Sequence, residues 1–165
     1  MHYILSLLAI AGLGTAQLTD WERIHQTLHR YAPAIDMKDF AQLDQVFSQN
    51  AHINYTGFLS DVSGLPAIQA GLTKSVTGLR TQHLLGTTII DIDHSLPMLG
   101  KKSANSTTYF QASLFAETGT NLTTLFGYYA DDLSEGHQGW RIDNRTLVFQ
   151  GTSVQGNAAP GAPAG

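Results

Sequence analysis

Three polar residues of this chain have the chemical types needed to move a proton at a carbon atom: Asp36, Tyr55 and His83. A neutral histidine beside a carboxylate is a suitable general base, because the carboxylate orients the ring and stabilises the imidazolium. A tyrosine hydroxyl can polarise a carbonyl and stabilise the enolate that forms. If the fold brings these side chains together, they favour proton abstraction next to a carbonyl.

Each of the three residues also has a purely structural interpretation. Asp36 could cap the helix that follows it, with Asp39 as a rival cap. His83 could be a buried histidine that Asp36 satisfies in a protein that only binds a ligand. Tyr55 could pack in the core with its hydroxyl at the edge of a pocket. The choice depends on the elements that carry them.

Helices dominate the first part of the chain. A capping box, Thr19-Asp20-Trp21-Glu22, predicts where the first helix begins. An apolar stripe with steps of three and four residues follows: Trp21, Ile24, Leu28, Tyr31 and Ile35. Pro33 is expected to kink or stop this helix. A short second helix around residues 40–47 and a third over residues 65–79 complete the helical set, and Asp36 lies just past the first stripe.

Strands dominate the second part. Residues 51–56 alternate in polarity, with Ile53 and Tyr55 on one face, and residues 57–64 are predicted to be a loop. Four β-rich runs follow at residues 81–93, 103–117, 122–133 and 139–150, and His83 lies at the start of the first of them. This segregation of helices from strands predicts an α+β domain rather than a Rossmann-type fold.

Three segments resemble scytalone dehydratase and its SnoaL-like relatives in the NTF2-like superfamily. They are Ile35-Asp36-Met37-Lys38-Asp39-Phe40 with Tyr55 downstream, Leu79-Arg80-Thr81-Gln82-His83-Leu84-Leu85-Gly86, and Gly139-Trp140-Arg141-Ile142. The resemblance extends over roughly residues 20–149. It implies an NTF2-like cone, in which a curved, mainly antiparallel sheet wraps around three N-terminal helices and encloses a deep pocket. It also implies that His83 is the general acid/base, Asp36 its orienting partner and Tyr55 a donor to the substrate carbonyl.

The chain departs from the family around this pair. Ile35 stands where the family has a second tyrosine, Phe115 or Ala116 stands near the place of a second pocket histidine, and Thr123 and Leu125 stand near a serine and asparagine pair. A more apolar ligand than scytalone is therefore expected. The residues predicted to line the pocket or core are Ile35, Tyr31, Tyr109, Phe115, Phe126 and Tyr128.

Two functions remain open at this level. The first is a cofactor-free lyase, of dehydratase or cyclase/isomerase type, acting on a small carbonyl compound like those of secondary metabolism. The retained Asp36 and His83 favour it. The second is a secreted, non-catalytic protein that binds a small molecule in the same pocket, which the missing second histidine favours.

Composition excludes several other classes. The chain has 165 residues, no cysteine and a formal net charge of −4, so a disulfide framework, a thiolate nucleophile and an electrostatic case for nucleic-acid binding are all absent. His25 and His29 have the spacing of a helical metal pair but no third ligand, so they are interpreted as a surface pair. We predict no metal and no cofactor. Cone-fold relatives are often dimers or trimers, so a homo-oligomer is one possibility by analogy, and the sequence leaves the oligomeric state open.

The two ends of the chain differ from the domain between them. Residues 1–16 are predicted to be a signal peptide cut after Ala16, with a buried N-terminal helix as the alternative. Cleavage there predicts a secreted protein that is not attached to the membrane. The domain is assigned to residues 17–150, and residues 151–165, rich in Gly, Ala and Pro, to a disordered tail. Four sequons are candidate glycosylation sites: Asn105, Asn121, Asn54 and Asn144.

Overall fold

A computed structural model describes residues 17–93, 102–117 and 121–155. The helices are α1 (Asp20–His29), α2 (Tyr31–Asp36), a 3-10 helix (Phe40–Gln45) and α3 (Leu65–Ser75). The strands are β1 (Phe47–Tyr55), β2 (Leu59–Ser63), β3 (Leu79–Asp93), β4 (Ser103–Ala116), β5 (Leu122–Gly136) and β6 (Gly139–Gln155). The predicted signal peptide lies outside the described residues.

The six strands form one curved sheet in the order β2-β1-β6-β5-β4-β3. All neighbours are antiparallel except β1 and β6, which run parallel, with Tyr55 opposite Leu147. Irregularities in register interrupt β3 after Leu85 and β5 after Phe126, and such bulges bend a strand. The helices contact the sheet chiefly through β1, β3 and β6. This is the α+β, NTF2-like cone that the sequence predicts.

The first helix begins where its capping box predicts. The Thr19 side chain accepts the backbone N–H of Glu22, and the Glu22 carboxylate accepts the backbone N–H of Thr19 at 2.8 Å. The helix that carries the apolar stripe is interrupted at Arg30, because Pro33 has no N–H to donate to the carbonyl of His29. Pro33 itself lies in the first turn of α2, where that N–H is not needed. The break turns α2 so that Asp36, its last residue, reaches β3.

Several predicted boundaries are wrong, and three of these differences affect the sheet or the helices that pack on it. Residues 59–63 form β2, an edge strand paired with β1, where a loop was expected, because its few apolar residues give little alternation. The third helix ends at Ser75 instead of residue 79. Residues 151–155, assigned to the tail, continue β6 and pair with residues 122–126 of β5. These residues are mostly exposed, so backbone hydrogen bonds and not side-chain burial extend the strand, which composition does not reveal.

The core lies between the helices and the inner face of the sheet. Ile24, Leu28 and Ile35 from the helices pack with Ile53 and Trp140 from the strands, each at most 1% exposed. The Trp140 indole N–H reaches Asp20 at 3.2 Å and ties α1 to β6. Within the described residues, no helix is long and apolar enough to cross a membrane.

Candidate active site

Asp36 and His83 are in direct contact. His83 Nδ1 lies 2.7 Å from Asp36 Oδ1, and the backbone N–H of His83 donates to Asp36 Oδ2 at 2.8 Å. A third donor, the Thr81 hydroxyl, reaches Asp36 Oδ1 at 2.9 Å. The carboxylate therefore contacts β3 through three hydrogen bonds. It does not cap the 3-10 helix, whose N-cap residue, Asp39, makes no side-chain capping bond.

These hydrogen bonds decide the charge of Asp36. Burial raises the pKa of this carboxyl, but the bonds from the His83 ring, the His83 backbone and Thr81 outweigh burial and hold the pKa below its ordinary value. An ionised Asp36 can only accept, so the proton between the two groups belongs on His83 Nδ1. Nε2 is then the unprotonated ring nitrogen, which is the form that a general base requires.

The pair lies at the wall of a cavity inside the cone. His83, with only 8% of its side chain exposed, and Tyr31, Ile35 and Tyr55 all line it, as the sequence predicts. Its volume is about 60 Å³, which is room for a few water molecules. The remaining lining is mainly apolar and comes from α3, the sheet and the β1–β2 turn: Phe58, Leu72, Ser75, Val76, Phe110, Ala112, Leu114, Leu125, Tyr129 and Leu147.

Three tyrosines, Tyr31, Tyr55 and Tyr129, cluster at the wall of this cavity. Tyr55 donates to the hydroxyl of Tyr31 at 3.2 Å, and the Tyr129 ring lies 5.4 Å from that of Tyr31 and 6.0 Å from that of Tyr55. Tyr31 also meets the His83 ring edge-on at 6.0 Å. Burial raises the pKa of all three phenols, so they remain protonated and can donate hydrogen bonds. They are suited to hold a carbonyl oxygen beside the histidine.

A buried ion pair lies behind the tyrosines. Arg145 of β6 makes two bonds to Asp131 of β5, at 2.7 and 2.9 Å, and its guanidinium lies 4.6 Å from the Tyr31 ring centroid and 4.2 Å from that of Tyr129. Burial raises the pKa of the Asp131 carboxyl and opposes the charge of Arg145, but the two hydrogen bonds between them favour the charged form of both groups, and we describe the pair as ionic. Arg145 Nη1 has no hydrogen-bond partner among the described residues.

Sequence reasoning missed this pair. The predicted β-rich run ends at residue 133, close enough to Asp131 and Asp132 for them to pass as strand-end residues, but β5 continues past them to Gly136. Asp131 faces inward with Tyr129 and Leu133, whereas Asp132 is exposed. The two-residue alternation of buried positions from Tyr129 to Leu133 is the signal that could have placed Asp131 in the core.

Four of the predicted lining residues do not reach the cavity, and that prediction is wrong. Tyr109, Phe115, Phe126 and Tyr128 lie on the outer face of the sheet, where Tyr109 is 43% and Phe126 38% exposed. Tyr109 and Tyr128 pair across β4 and β5 with ring centroids 5.5 Å apart. Their neighbours Phe110 and Tyr129 take the inward positions, because successive residues of a strand point to opposite faces.

The other residues singled out lie away from the cavity. His25 and His29 stack on each other, and Trp21 stacks on His25, with centroids 4.0 and 5.0 Å apart; no metal-ligating cluster of three or more residues occurs in the described part of the chain. Of the sequons, Asn105 and Asn144 are exposed on the outer face and Asn54 is half-buried in β1. Asn121 directly precedes β5.

Comparison with known proteins gives this architecture a family context. The model of the SnoaL-like domain matches residues 16–146. An uncharacterized protein of Mycobacterium tuberculosis H37Rv, Rv2910c, is 30% identical over 142 residues, which cover 84% of this chain and 92% of that protein.

Solved structures share the fold at lower identity. The Kfla4162 protein of Kribbella flavida superposes with a TM-score of 0.71 at 19% identity, covering 81% of this chain and 93% of that one. A candidate scytalone dehydratase of Novosphingobium aromaticivorans gives 0.70 at 20%, covering 85% and 90%. A type 2 hexachlorocyclohexane dehydrochlorinase, LinA, gives 0.69 at 12%, covering 86% and 95%.

Proposed function

The chain belongs to the SnoaL-like family, and from that premise we propose that it is a cofactor-free lyase, of dehydratase or cyclase/isomerase type, acting on a small, largely apolar carbonyl compound. The observation that carries the proposal is the 2.7 Å contact between Asp36 and His83, which lies at the wall of a cavity that three tyrosines also line. Base and oxyanion donors thus face one enclosed space, which is the arrangement that enolate chemistry requires.

The first step is removal of a proton from the carbon next to the substrate carbonyl. His83 Nε2 takes this proton, and the electron pair of the broken C–H bond moves onto the carbonyl oxygen to give an enolate. Asp36 remains ionised and stabilises the imidazolium through Nδ1. The hydroxyls of Tyr55 and Tyr31 donate to the developing oxyanion, where a water-poor cavity strengthens the interaction.

The second step determines the reaction type. In a dehydration, the enolate electrons form a carbon–carbon double bond as a β-hydroxyl leaves, and the proton held by His83 goes to that oxygen, so that one water is released for each enone formed. In an isomerisation, the same proton returns to a different carbon of the enolate. Both outcomes need only one base, and His83 is the one histidine among the described residues that line the cavity.

The size and lining of the cavity indicate the substrate class. A volume of about 60 Å³ is smaller than a ring compound requires, so a substrate needs a side chain to move. Phe58, on the β1–β2 turn and 41% exposed, lies between this cavity and a larger outer groove, since it lines both. Its displacement would join the two spaces and admit a small apolar ring with one carbonyl.

A binding protein without turnover is the second candidate. Two observations favour it: the tyrosine hydroxyls already bond to each other, and the described lining offers no second histidine to protonate a leaving group. Under this alternative His83 and Asp36 would only orient a ligand carbonyl.

Hydrogen exchange distinguishes the two functions. The purified protein is incubated in D₂O with a panel of small cyclic ketones and β-hydroxyketones, and NMR follows deuteration next to the carbonyl and the appearance of enone. We expect both signals for at least one compound. His83→Gln should lower the rate roughly 10²- to 10⁴-fold, and Tyr55→Phe should lower it less, because Tyr31 and Tyr129 keep donors in place.

His137→Gln is the matched control, because His137 is exposed at the β5–β6 turn and should leave the rate unchanged. Saturable binding of panel compounds without exchange or elimination would favour the binding protein. Turnover that persists in His83→Gln would show that another group is the base.

A further inference from the structure

We propose that Lys38 and Thr81 are positioning residues that hold the proton of the Asp36–His83 pair on His83 Nδ1. The catalytic consequence rests on the function proposed above, but the position of the proton does not. The two residues extend the pair into a hydrogen-bonded series of four side chains that ends at the exposed Lys38.

Hydrogen bonds connect all four side chains of this series. Lys38 Nζ donates to Thr81 Oγ1 at 3.1 Å, Thr81 Oγ1 lies 2.9 Å from Asp36 Oδ1, and Asp36 Oδ1 lies 2.7 Å from His83 Nδ1. The four groups come from two elements and one turn: Asp36 ends α2, Lys38 lies in the turn that follows it, and Thr81 and His83 lie on β3. The sequence places Thr81 and His83 two residues apart, so that both face inward.

The numbers of donors and acceptors on Lys38 and Thr81 determine which group donates in each hydrogen bond of the series. An ammonium group has donors and no acceptor, whereas a hydroxyl has a single hydrogen. Because Lys38 donates to the Thr81 oxygen, the Thr81 hydrogen must point to Asp36 Oδ1. The hydrogen bond from Thr81 stabilises the anionic form of Asp36 and so lowers the affinity of Oδ1 for the proton that it shares with His83 Nδ1. Oδ2 is occupied by the backbone N–H of His83. Neither oxygen can easily take the Nδ1 proton.

Lys38 is held in a conformation that directs its side chain to Thr81. Its φ of 60° lies in the left-handed region, which is disfavoured for a residue with a Cβ, and its backbone N–H donates to the carbonyl of Ile35 at 3.2 Å. Glycine is the usual residue at such a helix end. A lysine therefore stands at a position where the backbone conformation favours glycine. Asp36 and Glu117 are the charged groups that act on its ammonium group.

A water molecule could not do the same work as Lys38. Water can donate to Thr81 or accept from it, so it would permit both directions of the series. Only a group that lacks acceptor atoms enforces one direction. This distinction separates the proposed role from simple filling of space, and it predicts which substitutions restore the wild-type state.

The test measures the proton position by NMR of protein carrying ¹⁵N-labelled histidine. In the wild type we expect His83 Nδ1 protonated and Nε2 unprotonated. In Lys38→Met, Lys38→Gln and Thr81→Val, the Nδ1 signal should move toward the unprotonated position, because the proton gains access to Asp36. Lys38→Arg, which also has only donors, and Thr81→Ser should restore the wild-type spectrum. Lys102→Met and Thr107→Val, distant from the pair, are controls for loss of an ammonium and of a hydroxyl.

Turnover is the second readout. Lys38→Met and Thr81→Val should lower kcat about tenfold, within the hundredfold that a misplaced reacting group can cost, with little change in KM. An unchanged Nδ1 signal in both variants overturns the proposal, whatever the rates. If the wild type has no turnover, the lyase assignment fails while the NMR comparison still decides the proton position. Lys38→Arg that behaves like Lys38→Met would also contradict it.

Discussion

At the scale of single residues, the site depends on whether a carboxylate stays ionised. Three donors surround Asp36, and together they hold its pKa below the ordinary value despite burial. The same bonds that orient His83 therefore also contribute to the stability of the fold. A single hydrogen-bond network links the position of α2 to the protonation state of the base.

The pH dependence of stability follows from this pKa. Because the folded-state pKa of Asp36 lies below the unfolded one, the contribution is complete above the unfolded value of about 4 and is lost as pH falls through the folded value. We expect the free energy of unfolding of the wild type to fall more steeply between about pH 5 and pH 2 than that of Asp36→Asn. Urea denaturation at a series of pH values measures both slopes, and parallel curves would contradict the assignment.

The inward-facing residues were predicted correctly where the neighbouring residues gave only one plausible choice of inner face. His83 and Tyr55 line the cavity, as do Tyr31 and Ile35, and Asp36 contacts His83. The prediction failed at Tyr109 and Tyr128, each of which is followed by a second aromatic residue, Phe110 and Tyr129. With two adjacent aromatics, hydrophobicity does not indicate which one faces inward, and a one-residue shift in register exchanges the faces. The register comes from pairing between distant strands, which no local pattern records.

At the scale of elements, the Arg145–Asp131 pair joins β5 and β6 beneath the tyrosines. Both side chains are at most 1% exposed, so the loss of one partner leaves the other charge buried and unpaired. Asp131→Asn is expected to destabilise the protein by about 3–5 kcal/mol, whereas Asp131→Leu combined with Arg145→Met should restore much of that loss.

Chemical denaturation of Asp131→Leu, of Arg145→Met and of the double variant measures the coupling between the two residues. Asp132→Asn is the control, since Asp132 neighbours Asp131 but is exposed. A double variant as unstable as the sum of its single changes would show that the two residues act independently.

Prediction of elements was most accurate where local chemistry determines a boundary. The Thr19–Glu22 capping box placed the start of α1 correctly, because both bonds form within four residues. Edge strand β2 and the last five residues of β6 were missed, because their backbone groups pair with β1 and β5 while most of their side chains stay exposed. Such strands have little hydrophobic alternation to detect.

At the scale of the whole molecule, we propose that the chain is exported. Two features support this: residues 3–13 are nearly all apolar and are followed by Gly14-Thr15-Ala16, and the family match begins at residue 16. After expression in a secreting eukaryotic host, protein recovered from the culture medium should begin at Gln17, as determined by N-terminal sequencing. Intact mass before and after glycosidase treatment tests the sequons, with Asn105 and Asn121 expected first. Protein retained in cells with Met1 in place would contradict export.

The parallel pairing of β1 with β6 also sets the order of events as the protein is made. Tyr55 finds its partner Leu147 only across more than half of the chain, and contacts so distant in sequence carry a loop-closure cost that slows folding. Until β6 leaves the ribosome, the inner sheet lacks its central strand and Asp131 lacks its counter-charge. We therefore expect the nascent chain to lack a complete core until synthesis is almost finished, a state compatible with the export proposed above.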